Sequence, residues 1–299
     1  MNDKNSEMNI VDIIDILWEK KFKILSFALI LSFVIAIYSL TISNKYISSV
    51  SLAPTTSQES QSGGISSSLG SLAGLTGISV GGPGFVDKTT LGLEQLRSRK
   101  FVGEFLKKYD LYKDLVASDG WNAKSNTLTY DRKIYSIKNN NWIIKPSYEE
   151  SYLAFNSIFV TNQDLETGVI TLSIEHFSPF IAKQWLSWIV EEINSISRVD
   201  QIERAESSLN YLKNEIENTK LTEIRSGLTN LALSQHEKIM IAKVTPEYLF
   251  KIIDPPYLPE YKSSPRRSVL TVLGFFLGLF ISVLYFTFNL YWKDIKENK

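Results

Sequence analysis

The chain has 299 residues, enough for one large or two small domains, and is 44% hydrophobic and 21% charged. Its 32 basic side chains equal its 32 acidic ones, so the basic excess of a nucleic-acid binder is missing. It has no cysteine, which excludes disulfides, thiolate metal sites and a cysteine nucleophile but assigns no compartment.

In chain order, IVDIIDILWEK (10–20) comes first. It sets Ile10, Ile13, Ile14 and Leu17 on one helical face, largely away from Asp12, Asp15 and Glu19. The pattern predicts a short helix that lies on a membrane surface or extends the first span; a frayed lead is the plainer alternative. Residues 24–42, ILSFALILSFVIAIYSLTI, then run without a charge. As a helix they reach roughly 28 Å, close to the ~30 Å hydrocarbon core. A second uncharged run, 268–292, is long enough to span with tilt, and Tyr291 and Trp292 near its end suit an interfacial belt, with Tyr285 one turn and a half earlier. No A-x-A cleavage pattern comes after the first run, and core helices seldom extend this far without a charge. Both runs are predicted to cross a membrane.

Flanking charge orients them. Lys20, Lys21 and Lys23 precede the first run and only Lys45 comes closely after it, so the N-terminus stays inside. Around the second run Lys262, Arg266 and Arg267 balance Lys293, Lys296 and Lys299, and parity decides. The predicted division is a cytoplasmic segment 1–23, a span 24–42, an external domain 43–267, a span 268–292 and a cytoplasmic tail 293–299.

Within the external part, KYISSVSLAP (45–54) alternates with period two, placing Tyr46, Ser48, Val50 and Leu52 on one side until Pro54 ends a strand. Residues 61–84 hold eight of the 15 glycines and six serines, a loop composition. Neither G-x-x-x-x-G-K-[ST] nor a dinucleotide-binding frame occurs in it, which argues against a phosphate cradle. An apolar stripe of Leu91, Leu93, Leu96, Phe101, Phe105 and Leu106 predicts a helix to Lys108. Asn139 to Asn141 predict a polar turn, and Pro146 opens a helix to about Phe155. The runs 158–163 and 168–176 read as a strand pair, the second with Ile170, Leu172 and Ile174 inward.

Ser178-Pro179 is a helix start, with a serine N-cap and proline at the first helical position. From Phe180 to Lys220 there is neither proline nor glycine. Ile189, Ile193, Ile196, Val199, Ile202, Ala205, Leu209, Leu212 and Ile216 recur in steps of three or four. Some forty residues make a rod of roughly 60 Å, whose stripe other helices must cover. A second helical segment, 221–243, carries Ile224, Leu228, Leu231 and Ile239, with Gly227 as a candidate bend; the predicted arm is 178–243. EYLFKIIDPP (247–256) reads as a returning strand. The fold class is α+β, with strands near both membrane helices and helices between.

No catalytic pattern emerges. His176 and His236 lie 60 residues apart with no convergent partners, and read as surface or capping residues. Glu149/Glu150 and Glu191/Glu192 read as solvated helix faces. Neither a metal nor a cofactor is implied. Before the second span, IDPPYLPEYKSSPRRS holds Pro255, Pro256, Pro259 and Pro265. Their fixed φ prevents the last strand from merging into the span, either as a stiff linker or as a contact surface for a membrane partner. Arg266 and Arg267 sit where lipid phosphates would lie. Within the span, Gly274 and Gly278 form G-x-x-x-G, a close-packing surface for another helix.

The chain resembles the Wzz-type chain-length determinants of bacterial surface polysaccharide, or polysaccharide co-polymerases. The residues that carry it are VDIIDILWEKKFKIL, SLAGLTGISVGG, TGVITLSIEHFSPFIAKQW and IDPPYLPEYKSSPRRSVLTVLGFFLG. The resemblance implies a ring-forming inner-membrane homo-oligomer with a membrane-proximal α/β base and a long helical arm in the periplasm. It implies a non-enzymatic regulator working with the O-antigen polymerase, in contact with membrane lipids and with growing polysaccharide. Pro255, Pro256, Pro259 and Pro265 match its proline-rich segment, and Gly274 and Gly278 its glycine-containing span. Larger relatives carry a cytoplasmic tyrosine kinase; KDIKENK here has neither a Walker motif nor a tyrosine cluster. A structural adaptor in capsule or exopolysaccharide export is the alternative, and a sensory receptor would need a cytoplasmic transmitter.

Overall fold

The structure is a computed structural model that describes residues 18–55 and 88–297. Most of the surface helix expected over 10–20, and all of the glycine-serine loop 61–84, lie outside the described residues. The chain forms two compact units, residues 1–45 with 262–299, and residues 46–261. In chain order the elements begin with α1 (Lys21–Thr41), β1 (Tyr46–Pro54), α2 (Lys88–Arg97) and α3 (Arg99–Lys108). A five-residue π-helical turn (Lys113–Ala117) leads into β2 (Ser118–Asn122), β3 (Thr127–Tyr130), β4 (Tyr135–Ser136) and β5 (Asn141–Trp142). Then come α4 (Tyr148–Ile158), β6 (Phe159–Gln163), β7 (Ile170–His176), α5 (Pro179–Asn218), α6 (Thr222–Val244), β8 (Phe250–Asp254) and α7 (Arg267–Glu297).

The first unit is an antiparallel pair, α1 with α7. Two stretches are long and apolar enough to cross a membrane, Lys21–Thr41 with 21 residues and Arg267–Asn289 with 23. At 1.5 Å per residue they reach about 32 and 35 Å. A soluble core helix buries its large side chains. Here Phe33 is 66% exposed and Phe280 63%, while the residues turned inward are small apart from Ile24. That distribution fits lipid as the surroundings.

The second unit is built on a four-stranded antiparallel sheet in the order β6-β7-β1-β8. The pairing Ser48↔Ile174, Val50↔Leu172 and Leu52↔Ile170 sets the alternating residues of both strands on one buried face. The opening turns of α5 cover that face with Ala182, Trp185, Leu186, Ile189, Val190 and Ile193. Phe101, Phe105, Phe155, Phe159 and Phe250 complete the core.

The sequence predicts one helix over 91–108, but there are two, divided at Ser98. From Leu96 to Phe101 the apolar stripe steps by five, which a single helix would rotate off the core. Ser98 adopts extended geometry (ψ 144°), and its side chain caps α3 by accepting from the Phe101 N–H at 3.1 Å. The later helix, α4, starts at Tyr148 with a full capping box between Ser147 and Glu150.

α5 runs 40 residues, about 60 Å, from the Ser178 cap and Pro179. Up to Asn194 it buries a continuous stripe; beyond that only Ala205 is fully covered. There α6 returns against it, and Ile202, Leu209, Leu212 and Ile216 are half-buried. The turn falls at 219–221, where Thr219 and Leu221 are extended (ψ 123° each). Gly227 is not the break: α6 continues through it with open space beside it. Arg225 Nη2 donates to the Thr219 carbonyl at 2.7 Å and holds the corner.

Candidate functional site

The seam between α1 and α7 is made by small side chains at helical spacing. α1 turns Ala28, Ser32 and Ser39 inward; α7 turns Gly274, Gly278 and Ser282. A Cβ on Gly278 would lie 2.8 Å from the Ala28 Cα, and one on Gly274 2.7 Å from Ile35 Cδ1. Both glycines of the G-x-x-x-G pattern thus face α1 of the same chain. Close approach also lets the Ser32 hydroxyl donate to the Thr271 carbonyl at 2.9 Å across the helices.

One end of this pair is fastened by backbone. The Lys45 N–H donates to the Ser264 carbonyl (2.9 Å), and the Ser263 N–H donates to the Lys45 carbonyl (2.8 Å). Arg267 Nη2 donates to Asn44 Oδ1 at 3.1 Å. Of the two candidate phosphate contacts, Arg266 is exposed, whereas Arg267 is half-buried and tied to Asn44.

The proline segment is divided between the units. Pro265 lies half-buried in the first; Pro255, Pro256 and Pro259 belong to the second. Pro256 and Pro259 are buried and Pro255 is exposed. The Ser48 hydroxyl donates to the Tyr257 carbonyl at 2.7 Å and pins the segment to β1. With Pro256 and Pro259 inward, Tyr257, Leu258 and Tyr261 point out, Tyr261 84% exposed. The arm of α5 and α6 also leaves large apolar side chains exposed: Val199, Tyr211, Ile224, Leu233 and Met240.

The titratable groups have structural partners. His176, read from sequence as a surface or capping residue, is buried. Its Nδ1 accepts from the Ser178 N–H at 3.1 Å, so Nε2 carries the proton and donates to the Asp114 carbonyl at 3.1 Å. His236 is exposed on α6. Asp114 also accepts from the Tyr130 hydroxyl at 2.7 Å, and burial together with that bond pushes the Tyr130 phenol up. The hydrogen bond from Lys108 to Glu192 (2.5 Å) raises the Lys108 pKa against partial desolvation. Glu149 pairs with Arg99, and Glu150 closes its capping box, which holds its carboxyl below the ordinary value. Among the described residues there is no group of three or more His, Asp or Glu that could hold a metal ion.

Sequence reasoning passed over Asn194, a polar residue inside the buried stripe of α5. Its amide Nδ2 donates to the Phe250 carbonyl at 3.0 Å. Its Oδ1 accepts from the Leu249 and Phe250 N–H groups at 2.8 and 2.9 Å. The detectable signal was an amide beside Ile193, within a helix face that is otherwise apolar.

The model of the Wzz family, described as chain length determinant protein, matches residues 6–108. No curated protein matches. Among solved structures the chain is similar to a full-length bacterial polysaccharide co-polymerase, at 11% identity and a TM-score of 0.36, covering 93% of this chain and 97% of that one. It is also similar to a fragment of WzzB, a polysaccharide co-polymerase from Salmonella Typhimurium, at 14% identity and a TM-score of 0.29, covering 74% and 100%. Over residues 6–108 the chain is thus similar to the chain length determinant proteins of the Wzz family.

Proposed function

We propose that this protein sets the chain length of a surface polysaccharide, the O-antigen of lipopolysaccharide, as a non-catalytic homo-oligomeric scaffold beside the O-antigen polymerase. The observation that carries the proposal is the family match, which runs through α1, β1, α2 and α3 and so joins a membrane span to the base of the sheet. Two apolar helices near the termini support a two-pass inner-membrane protein. In this reading residues 43–267 lie in the periplasm and both termini in the cytoplasm. Exposed apolar side chains of α5 and α6 pack against neighbouring copies, and the exposed Tyr257, Leu258 and Tyr261 meet the polymerase. The assembly acts by holding polymerase or growing glycan so that elongation stops within a size window.

The test is deletion of the gene, then electrophoresis of lipopolysaccharide. A clustered ladder should become a smooth decay, and the intact gene in trans should restore the cluster. An unchanged ladder with loss of capsule or exopolysaccharide would overturn the proposal in favour of an export adaptor.

A further inference from the structure

The segment 131–145, DRKIYSIKNNNWIIK, has no part in the proposed function. It folds as the β4–β5 hairpin, with Tyr135 opposite Trp142. Tyr135 is its one buried side chain. From behind, the hairpin is held by an aromatic wedge: Trp142 meets Tyr135 edge-on at 5.3 Å, and Tyr135 meets Tyr130 at 5.8 Å. The Tyr135 hydroxyl donates to Asn140 Oδ1 at 2.6 Å and fixes the tip.

What the hairpin shows outward is unusual in a chain of zero net charge. Arg132, Lys133, Lys138 and Lys145 are all exposed, against one carboxylate, Asp131. Among the described residues none of these four is in an ion pair. Between them stand Ile137, Ile143 and Ile144, at 60%, 59% and 62% exposure. The N–H groups of Ile143 and Ile144 both donate to the Ile134 carbonyl (2.9 and 3.2 Å), an irregularity at the end of the ladder that leaves both side chains outside.

We propose that this hairpin seats on an anionic phospholipid surface. Ile137, Ile143 and Ile144 enter the headgroup–acyl boundary while the four cations meet lipid phosphates. The charge calls for an anionic occupant, and the isoleucines choose among anions. They offer neither hydrogen bonds nor a flat face, so they add nothing to binding a charged glycan. They gain only by leaving water for an apolar medium. Lys and Arg stems lie along such a boundary with their heads at the phosphates. The unit 46–261 is joined at both ends to membrane helices, so lipid is offered at a millimolar effective concentration and modest intrinsic affinity suffices. The inference rests on the two spans and not on the chain-length reading.

Because the sequence has no cysteine, one nitroxide can be placed without background. The full chain carrying Ile143→Cys, and in parallel Ile137→Cys, is labelled and reconstituted in phosphatidylcholine vesicles with or without phosphatidylglycerol. Glu217→Cys, exposed on the arm and outside its apolar side chains, is the water-facing reference. In anionic vesicles, labels at 137 and 143 should lose collisions with a water-soluble nickel complex and gain collisions with oxygen, while 217 does not change. Each basic side chain near such a surface contributes about five-fold to partitioning, so Lys138→Gln with Lys145→Gln should cut the ratio of seated to free hairpin roughly 25-fold. Salt at about 1 M, where the screening length is about 3 Å, should act in the same direction. Three results overturn the proposal: labels as water-accessible as 217 in every vesicle; shielding that tracks protein density and ignores lipid charge, which means a second copy covers the hairpin; or shielding that needs added anionic polysaccharide.

Discussion

Asn194→Ala removes one side-chain amide and strands three backbone groups. β8 is the edge of the sheet, and its first residue, Phe250, is fully buried. Phe250 gives both its N–H and its C=O to the Asn194 amide, as it would to a residue on a neighbouring antiparallel strand. The Asn194 side chain therefore extends the ladder by one peptide equivalent. Alanine leaves the Phe250 N–H and C=O without partners in a dry site, and also the N–H of half-buried Leu249. At about 1–3 kcal/mol for each buried group left unpaired, and with water reaching Leu249, the loss is roughly 3–5 kcal/mol. For a domain of this size that is a fall in Tm of about 10 °C, at roughly 2–4 °C per kcal/mol. Asn194→Asp keeps both acceptors but turns a carboxyl oxygen toward the Phe250 carbonyl, and should also destabilise. Circular dichroism of the purified chain in detergent gives Tm, and hydrogen exchange at Leu249 and Phe250 reports the site. A Tm matching a loss under about 0.5 kcal/mol, the scatter of surface substitutions, would refute the reasoning.

Other substitutions test the same geometry. Gly278→Val should weaken the α1–α7 pair more than Gly274→Val, because an added Cβ meets the Ala28 backbone at 278 and only side-chain atoms of Ile35 at 274. Denaturant resistance of the detergent-solubilised chain ranks the two, and the reverse order would sink the argument. Gly168 has φ +71° in open space at the β6–β7 turn, so Gly168→Ala should cost about 1 kcal/mol from backbone strain alone, and Gly168→Asn less. His176→Phe removes the acceptor of the Ser178 N–H at the start of α5 and the donor to Asp114, and should lower Tm by several degrees at about 1–3 kcal/mol. Glu150 and Asp164 are held below their ordinary values of 4.5 and 3.8, by the Ser147 backbone N–H and by Thr167 respectively. Groups depressed in this way contribute stability above those ordinary values and lose it as pH falls through the lower folded ones. Glu150→Gln with Asp164→Asn should therefore flatten the loss of Tm below pH 4.5, and an unchanged acid slope would contradict these assignments.

Features read correctly from sequence were those with one local cause. The alternation of Val50 and Leu52 against Ile170, Leu172 and Ile174 gave a buried sheet face, because a strand presents every second residue to the same side. Ser178 and Pro179 gave the start of α5, because cap and ring chemistry act within one turn. The break at Ser98 was open to the same kind of reading, since the five-residue step in the apolar stripe was there to count. Residues 113–146 had one such signal, the polar turn at Asn139 to Asn141, where Asn140 takes φ 47°. Their two small hairpins depend on contacts between Tyr130, Tyr135 and Trp142, with Lys113 stacked over both tyrosines, and no periodic pattern encodes these.

The candidate surfaces divide in the same way. Gly274 and Gly278 announce a close-packed helix face, but G-x-x-x-G is symmetric in what it permits, and only the antiparallel seam names Ala28 and Ile35 as the neighbours. That seam is filled from within the chain, with Gly274 against Ile35 and Gly278 against Ala28. The outward faces of both spans then carry large aliphatic and aromatic side chains such as Phe33, Phe276 and Phe280. Lipid tails are as apolar as these side chains, so the faces supply no hydrophobic drive toward a partner within the bilayer. In the proposed reading, recognition between copies or of a polymerase draws chiefly on surfaces that water can reach. On the second unit these include the exposed apolar side chains of α5 and α6 and the row Tyr257, Leu258 and Tyr261, where leaving water still drives association.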